Sequence, residues 1–414
     1  PAAQRGVSLA TTLAAFALAV LAAIAVTLAD NGFQSRLTLE LADALVGSGD
    51  GVQLDFLDSL GRAVTIATLL LVETVPGLSL TALPALTVVA AALFVGLLAW
   101  RLDRQGWPAL QIALAIGALL LHPLFLRAAT SGTTVMLSAL AFFVLIYACE
   151  RLEHIGDVQA QMNVGLALGA LVLVDPQAVY FVLPLMALLP LLYREVRDAT
   201  SGAAALLMVV MPPLTGLAAF VYLHVAFSPE PLSHPFELWA SPLHGSVARI
   251  GDYDWLMHHG GGFLAPFALL IAGILVCVPG HLVVVWRLFA ARAERNRPGA
   301  ALAALLLPAV AGALATEQMH TRSAWPYLLA GLMALLVWLA TKPLPDYVRR
   351  RALLLLVIGS LAAWMYPPLW AERGAAAWRA ALIDEIAAPS DWQPPEGSWF
   401  DPRHVTEPLR SYTP

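Results

Sequence analysis

Charge is scarce in this sequence. Asp, Glu, Lys and Arg make up 12% of its 414 residues, against roughly a quarter in an ordinary soluble domain. The mean hydropathy of +0.75 goes with repeated apolar runs of about twenty residues, the length that crosses the hydrocarbon of a bilayer as a helix. That balance excludes a soluble globule, a disordered chain and a fibre. Cysteine is nearly missing as well. Cys149 and Cys277 sit in separate apolar runs more than a hundred residues apart, which excludes a disulfide framework and leaves two small residues facing lipid or core. Also absent are a Cys-x-x-Cys pair, a Walker loop, a dinucleotide fingerprint and a His-Glu-x-x-His helix, so the usual soluble-enzyme chemistries have no carrier here. A net charge of -5 gives no footing to a nucleic-acid partner.

What is present is a series of apolar segments. The first, Ser8 to Ala29, follows Arg5 and carries no charge. It exceeds the 7 to 15 residues of a signal-peptide core, so it reads as a retained span that starts in the cytoplasm and delivers Asp30 to the far side. Further spans are expected near 83–101, 108–126, 133–149, 162–175, 178–193, 201–222, 263–286, 300–316, 325–341 and 352–367, eleven in all. Residues 62–80 are apolar too, but Arg62, Glu73, Pro76 and Gly77 interrupt them.

Charge decides how those segments are threaded. With 62–80 kept out of the count, the inside segments are 1–7, 101–107, 150–161, 194–200, 287–298 and 342–351, holding 14 of the 23 Lys and Arg against 8 acids. The outside then holds 9 basic and 20 acidic residues, the asymmetry that the positive-inside rule demands. Counting 62–80 as a span would move Arg292, Arg295, Arg297 and the Arg349 to Arg351 cluster outside. The expected protein is therefore an all-α, polytopic transmembrane domain over 1–367 with outer loops at 30–82, 223–262 and 317–324. An irregular extracytoplasmic tail at 368–414 follows, suited to docking on its own surface or on a membrane protein partner.

The long first outer loop needs a reason, because loops beyond 12 to 15 residues are usually functional or disordered. Its stretch Leu37 to Leu45 segregates apolar and acidic residues at helical spacing, as a helix lying on a membrane surface does. Asp252, Asp254, His258 and His259 in the 223–262 loop are metal-ligating types, but their spacing matches no known ligand set and a surface loop explains them more cheaply. His281 follows Pro279-Gly280 inside a span, where a buried polar contact and a kink are expected.

The order of these elements resembles the membrane core of GT-C type glycosyltransferases, which use polyprenyl-phosphate sugar donors. A first span ending in an acid is followed by a long outer loop and the basic turn Arg101-Leu102-Asp103-Arg104. Then come His122-Pro123-Leu124-Phe125, Ala129-Thr130-Ser131-Gly132-Thr133-Thr134, Tyr147-Ala148-Cys149-Glu150-Arg151, Asp175-Pro176-Gln177 and Leu183-Pro184-Leu185. This pattern covers about 90 residues well and the remainder in layout only. The resemblance implies sugar transfer from a polyprenyl-phosphate donor to a lipid or polysaccharide acceptor at the outer face of a bacterial plasma membrane, with the N-terminus cytoplasmic and the C-terminus extracytoplasmic.

Under that resemblance Asp30 stands where the family keeps its general base, since an acceptor hydroxyl is a weak nucleophile that a carboxylate can activate. Without the resemblance, Asp30 reads first as an acid that caps the following segment and marks the interface. Arg127 is the right type to hold a donor phosphate, and it is also the right type to snorkel to an interface. His320 and Arg322, in the crowded loop Glu317 to Trp325, are further donor-phosphate candidates beside a headgroup-level Trp. The pattern departs from the family in one place. The turn Arg127 to Thr134 lacks the second carboxylate that many members use for a metal or for substrate. A divalent metal therefore stays open, and so does a second reading: a catalytically silent relative that serves as subunit or scaffold of an envelope complex.

Overall fold

The computed structural model describes residues 2–31, 33, 82–133, 135–174, 179–192, 202–227, 263–290, 299–319, 324–370 and 373–387. Among them every regular element is a helix. In chain order these are α1 (Ala2–Asp30), α2 (Ala82–Arg104), α3 (Ala109–Leu120), α4 (Pro123–Thr130) and α5 (Val135–Ile155). There follow α6 (Val158–Val174), α7 (Val179–Leu192), α8 (Gly202–Phe227), α9 (Leu264–Cys277) and α10 (His281–Ala290). The last five are α11 (Gly299–Met319), α12 (Trp325–Thr341), α13 (Asp346–Trp364), α14 (Pro367–Trp370) and α15 (Arg373–Ala387).

Among the described residues three helices are long and apolar enough to cross a membrane: Ser8–Asp30, Leu83–Arg104 and Val135–Ile155. Two more join them if each bent pair is one span, α3 with α4 at 67° and α9 with α10 at 97°. The shorter apolar stretches among the remaining helices, all of α6 and α12 and parts of α7, α8 and α11, are 10 to 17 residues long. The expected surface helix at 37–45, the 62–80 segment and most of the 223–262 loop lie outside the described residues. The tail expected to be irregular opens with a helix, α15, whose buried positions Ala375, Trp378 and Ala381 recur every three residues.

The turn after α2 shows how the sequence sets these boundaries. Gly106 has φ +74°, the left-handed conformation that glycine adopts without a Cβ penalty. Its N–H donates to Asp103 O at 2.8 Å, and the Trp107 N–H donates to Leu102 O at 3.1 Å. Those two bonds form a Schellman stop, with Leu102 and Trp107 both buried across it. Pro108 then precedes the first turn of α3, where its missing N–H is harmless.

Two ends of the bundle can be told apart by what meets there. At one end Arg101 donates to Tyr147 Oη at 3.0 Å, Arg349 donates to Gly106 O at 2.6 Å, and the Lys342 ammonium pairs with Glu150. The turns 101–107, 150–161 and 342–351, grouped together by charge alone in the sequence, thus converge. At the other end α4, the start of α12, the end of α13 and α15 come together.

The two bent pairs interlock. At the second break, the His281 N–H bonds to Val278 O at 3.1 Å and so leaves the Cys277 carbonyl without its helical donor. His122, at the first break, supplies one: its Nε2 lies 2.9 Å from Cys277 O. The same imidazole caps α4, because Leu124 N–H donates to its Nδ1 at 3.3 Å. Nδ1 is therefore the acceptor and Nε2 carries the hydrogen. His281, also fully buried, bonds through Nε2 to Gly331 O at 2.8 Å. A broken helix in an apolar bundle must have its freed groups satisfied by neighbours, and here His122 does it for Cys277, while His281 ties the second break to the middle of α12. Contact at the break is close enough that an added Cβ on Gly359 of α13 would lie 2.5 Å from Cys277 O. The sequence reading of a kink and a buried contact at His281 agrees with this. The break at His122-Pro123, inside a span expected to run unbroken over 108–126, does not appear in that reading, although a residue before proline disfavours continued helix.

Candidate functional site at the α4 end of the bundle

The short helix α4 is buried along its whole length, and side chains from neighbouring elements bond to it. Thr87 Oγ1, from the start of α2, donates to Ala129 O at 2.9 Å. Thr130 Oγ1 donates to Leu126 O at 2.8 Å and accepts the indole N–H of Trp378 at 3.1 Å. Ser131 and Thr133 hydroxyls lie 3.0 Å apart across Gly132, whose φ is +62°.

Arg127 projects from this helix and is 6% exposed. Its guanidinium carbon sits 4.2 Å from the ring centroid of Trp325, a cation–π contact of about 2 kcal/mol when desolvated. Trp325 opens α12 and is itself buried. Snorkelling to water is therefore not what Arg127 does.

Asp30 is the last residue of α1 and is exposed. A carboxylate there faces the negative end of the helix dipole, which costs roughly 0.3–1 kcal/mol. The next residue, Asn31, donates through Nδ2 to Ala381 O of α15 at 2.9 Å. One turn earlier on α15 is Trp378, bonded to Thr130 of α4. Asp30 and Arg127 thus belong to the same end of the molecule, with α15 bonded to both neighbourhoods. His320 and Arg322 lie outside the described residues.

The sequence reading missed what covers this end. Trp364, Trp370 and Trp378 stack with centroid separations of 5.3 to 6.2 Å and interplanar angles of 6° to 22°. Trp364 also donates to Leu121 O at 3.0 Å, beside the first break. The available signal was the spacing of Ala375, Trp378, Ala381 and Leu382, an apolar stripe at helical spacing.

Among the described residues, the side chains close enough to share a metal ion are Glu150, Glu153 and His154, with ligand atoms within 4.8 Å of one another. They sit at the opposite end from Asp30. The Lys342 ammonium already lies among them, paired with Glu150 and 3.3 Å from His154 Nε2. Cys149 and Cys277 are buried free thiols. Comparison with protein-family models, with curated proteins and with solved structures yields no match.

Proposed function

We propose that this chain is a membrane glycosyltransferase with a GT-C-like core, moving a sugar from a polyprenyl-phosphate donor to a lipid or polysaccharide acceptor at the outer face of a bacterial plasma membrane. In this reading the shorter apolar helices also cross, giving about eleven spans. The Arg101, Lys342 and Arg349 end is cytoplasmic, and the α4 end is outside. The observation that carries the reading is a desolvated guanidinium on a bent, buried helix at the same end of the bundle as an exposed carboxylate.

The chemistry asks for both. Asp30 accepts the acceptor hydroxyl proton as that oxygen bonds to the anomeric carbon and the carbon–phosphate-oxygen bond breaks. Arg127 stabilises the departing phosphate by charge-assisted hydrogen bonds. Since Trp325 covers the guanidinium, the donor phosphate takes the place of that ring. His320 and Arg322, a few residues before Trp325, join the donor-phosphate set.

The second reading, a catalytically silent subunit of an envelope complex, is favoured by the indole stack and α15 bonded over α4, and by the missing carboxylate after α4. One experiment separates them. Purified protein in liposomes is offered a panel of radiolabelled polyprenyl-phosphate sugars with crude envelope acceptors, wild type beside Asp30→Asn. Transfer by wild type that disappears in a folded variant supports the enzyme. Transfer untouched by Asp30→Asn removes the proposed base, and no transfer from any donor leaves the silent subunit.

A further inference from the structure

We infer that the start of α13 is a binding site for one anionic phospholipid, with Arg350 and Arg351 taking the phosphate and the exposed apolar face of the same helix taking an acyl chain. The three consecutive arginines do different work. Arg349 is engaged inside the protein, donating to Gly106 O and paired with Asp346. Arg350 and Arg351 are exposed and have no carboxylate partner among the described residues. Asp346, the acid of this first turn, is already taken by Arg349.

Aromatic rings hold the position of the charge. The Arg351 guanidinium carbon lies 5.8 Å from the Tyr347 ring and 5.9 Å from that of Trp286 on α10, and both rings are exposed. Exposed Trp and Tyr beside Arg mark the headgroup level of a bilayer. From Arg350 and Arg351 the same helical face continues through Leu354, Ile358 and Leu361, at the 3-and-4 spacing of one side of a helix. They are 59%, 45% and 65% exposed. Two uncompensated cations followed by an exposed apolar stripe about 10 Å long match a lipid phosphate with its chain. An acidic peptide or a free anion has no use for the stripe.

The test is a titration of purified full-length protein in neutral detergent, following its thermal unfolding, with phosphatidylglycerol, phosphatidylcholine and glycerol 3-phosphate as separate arms. Phosphatidylglycerol is expected to stabilise at lower concentration than phosphatidylcholine, and glycerol 3-phosphate to do nothing. The double variant Arg350→Gln/Arg351→Gln is expected to raise the phosphatidylglycerol midpoint about thirtyfold, from roughly fivefold per basic side chain at an anionic surface. Its unfolding temperature in phosphatidylcholine is expected to match wild type, because both side chains are exposed. The inference is overturned if the two lipids act alike on wild type, if the double variant keeps the wild-type midpoint, or if glycerol 3-phosphate alone reproduces the effect.

Discussion

His122 links two breaks that are 155 residues apart in the chain, and its removal gives the most discriminating test of how this bundle is held. In His122→Ala two groups lose their partners. Loss of the cap on Leu124 N–H is worth about 1 kcal/mol. The Cys277 carbonyl is left with no donor in an apolar interior, worth about 1–3 kcal/mol. The expected total is therefore about 2–4 kcal/mol. Interhelical side-chain hydrogen bonds in membrane bundles average only about 0.6 kcal/mol. This one should exceed that average, because the turn at Pro279 has already removed the backbone donor that would otherwise compensate. His122→Asn separates the two contributions, since a shorter amide can still cap α4 but falls short of Cys277. It should lose the carbonyl part alone, about 1–3 kcal/mol. The assay is SDS-driven unfolding in mixed micelles, read from the fluorescence of the 12 tryptophans. A His122→Ala protein within about 0.5 kcal/mol of wild type would refute the interlock. So would a His122→Asn protein as stable as wild type, because the cap would then account for everything.

Other expectations follow from neighbouring contacts. Gly359→Ala drives a Cβ to 2.5 Å from Cys277 O and 2.6 Å from Pro279 Cδ and should destabilise by about 1–3 kcal/mol. Gly117→Ala meets open space and should be neutral or stabilising by up to about 1 kcal/mol in the same unfolding assay. Trp378→Ala deletes the fully buried indole that anchors α15 and should cost about 3–5 kcal/mol. Trypsin should then cut after Arg379 much faster than in wild type, and equal cutting rates would mean that α15 is held by something else. In the transfer assay, Arg127→Lys keeps the charge but loses the planar fork and the ring contact. The KM for donor should rise at least about tenfold, the effect of losing one charge-assisted bond of about 1.5–3 kcal/mol, and an unchanged KM would take Arg127 out of the donor site.

Composition and charge order were enough to read an all-helical, membrane-suited chain, and to group the turns at 101–107, 150–161 and 342–351. Both properties are local: an apolar run of given length is helical wherever it packs, and basic residues segregate to one side by a rule that ignores partners. The candidate site was legible only in part. Arg127 and Asp30 stood out as charges beside apolar runs, but burial of the guanidinium under Trp325 depends on residues almost two hundred positions away. The bonding of α15 to α1 and α4 likewise rests on Trp378 finding Thr130 across 248 residues. Which broken span is braced by which histidine, and what covers the α4 end, were decided by tertiary packing. An unsatisfied carbonyl or an indole N–H accepts any partner of the right chemistry, and only the three-dimensional arrangement selects one.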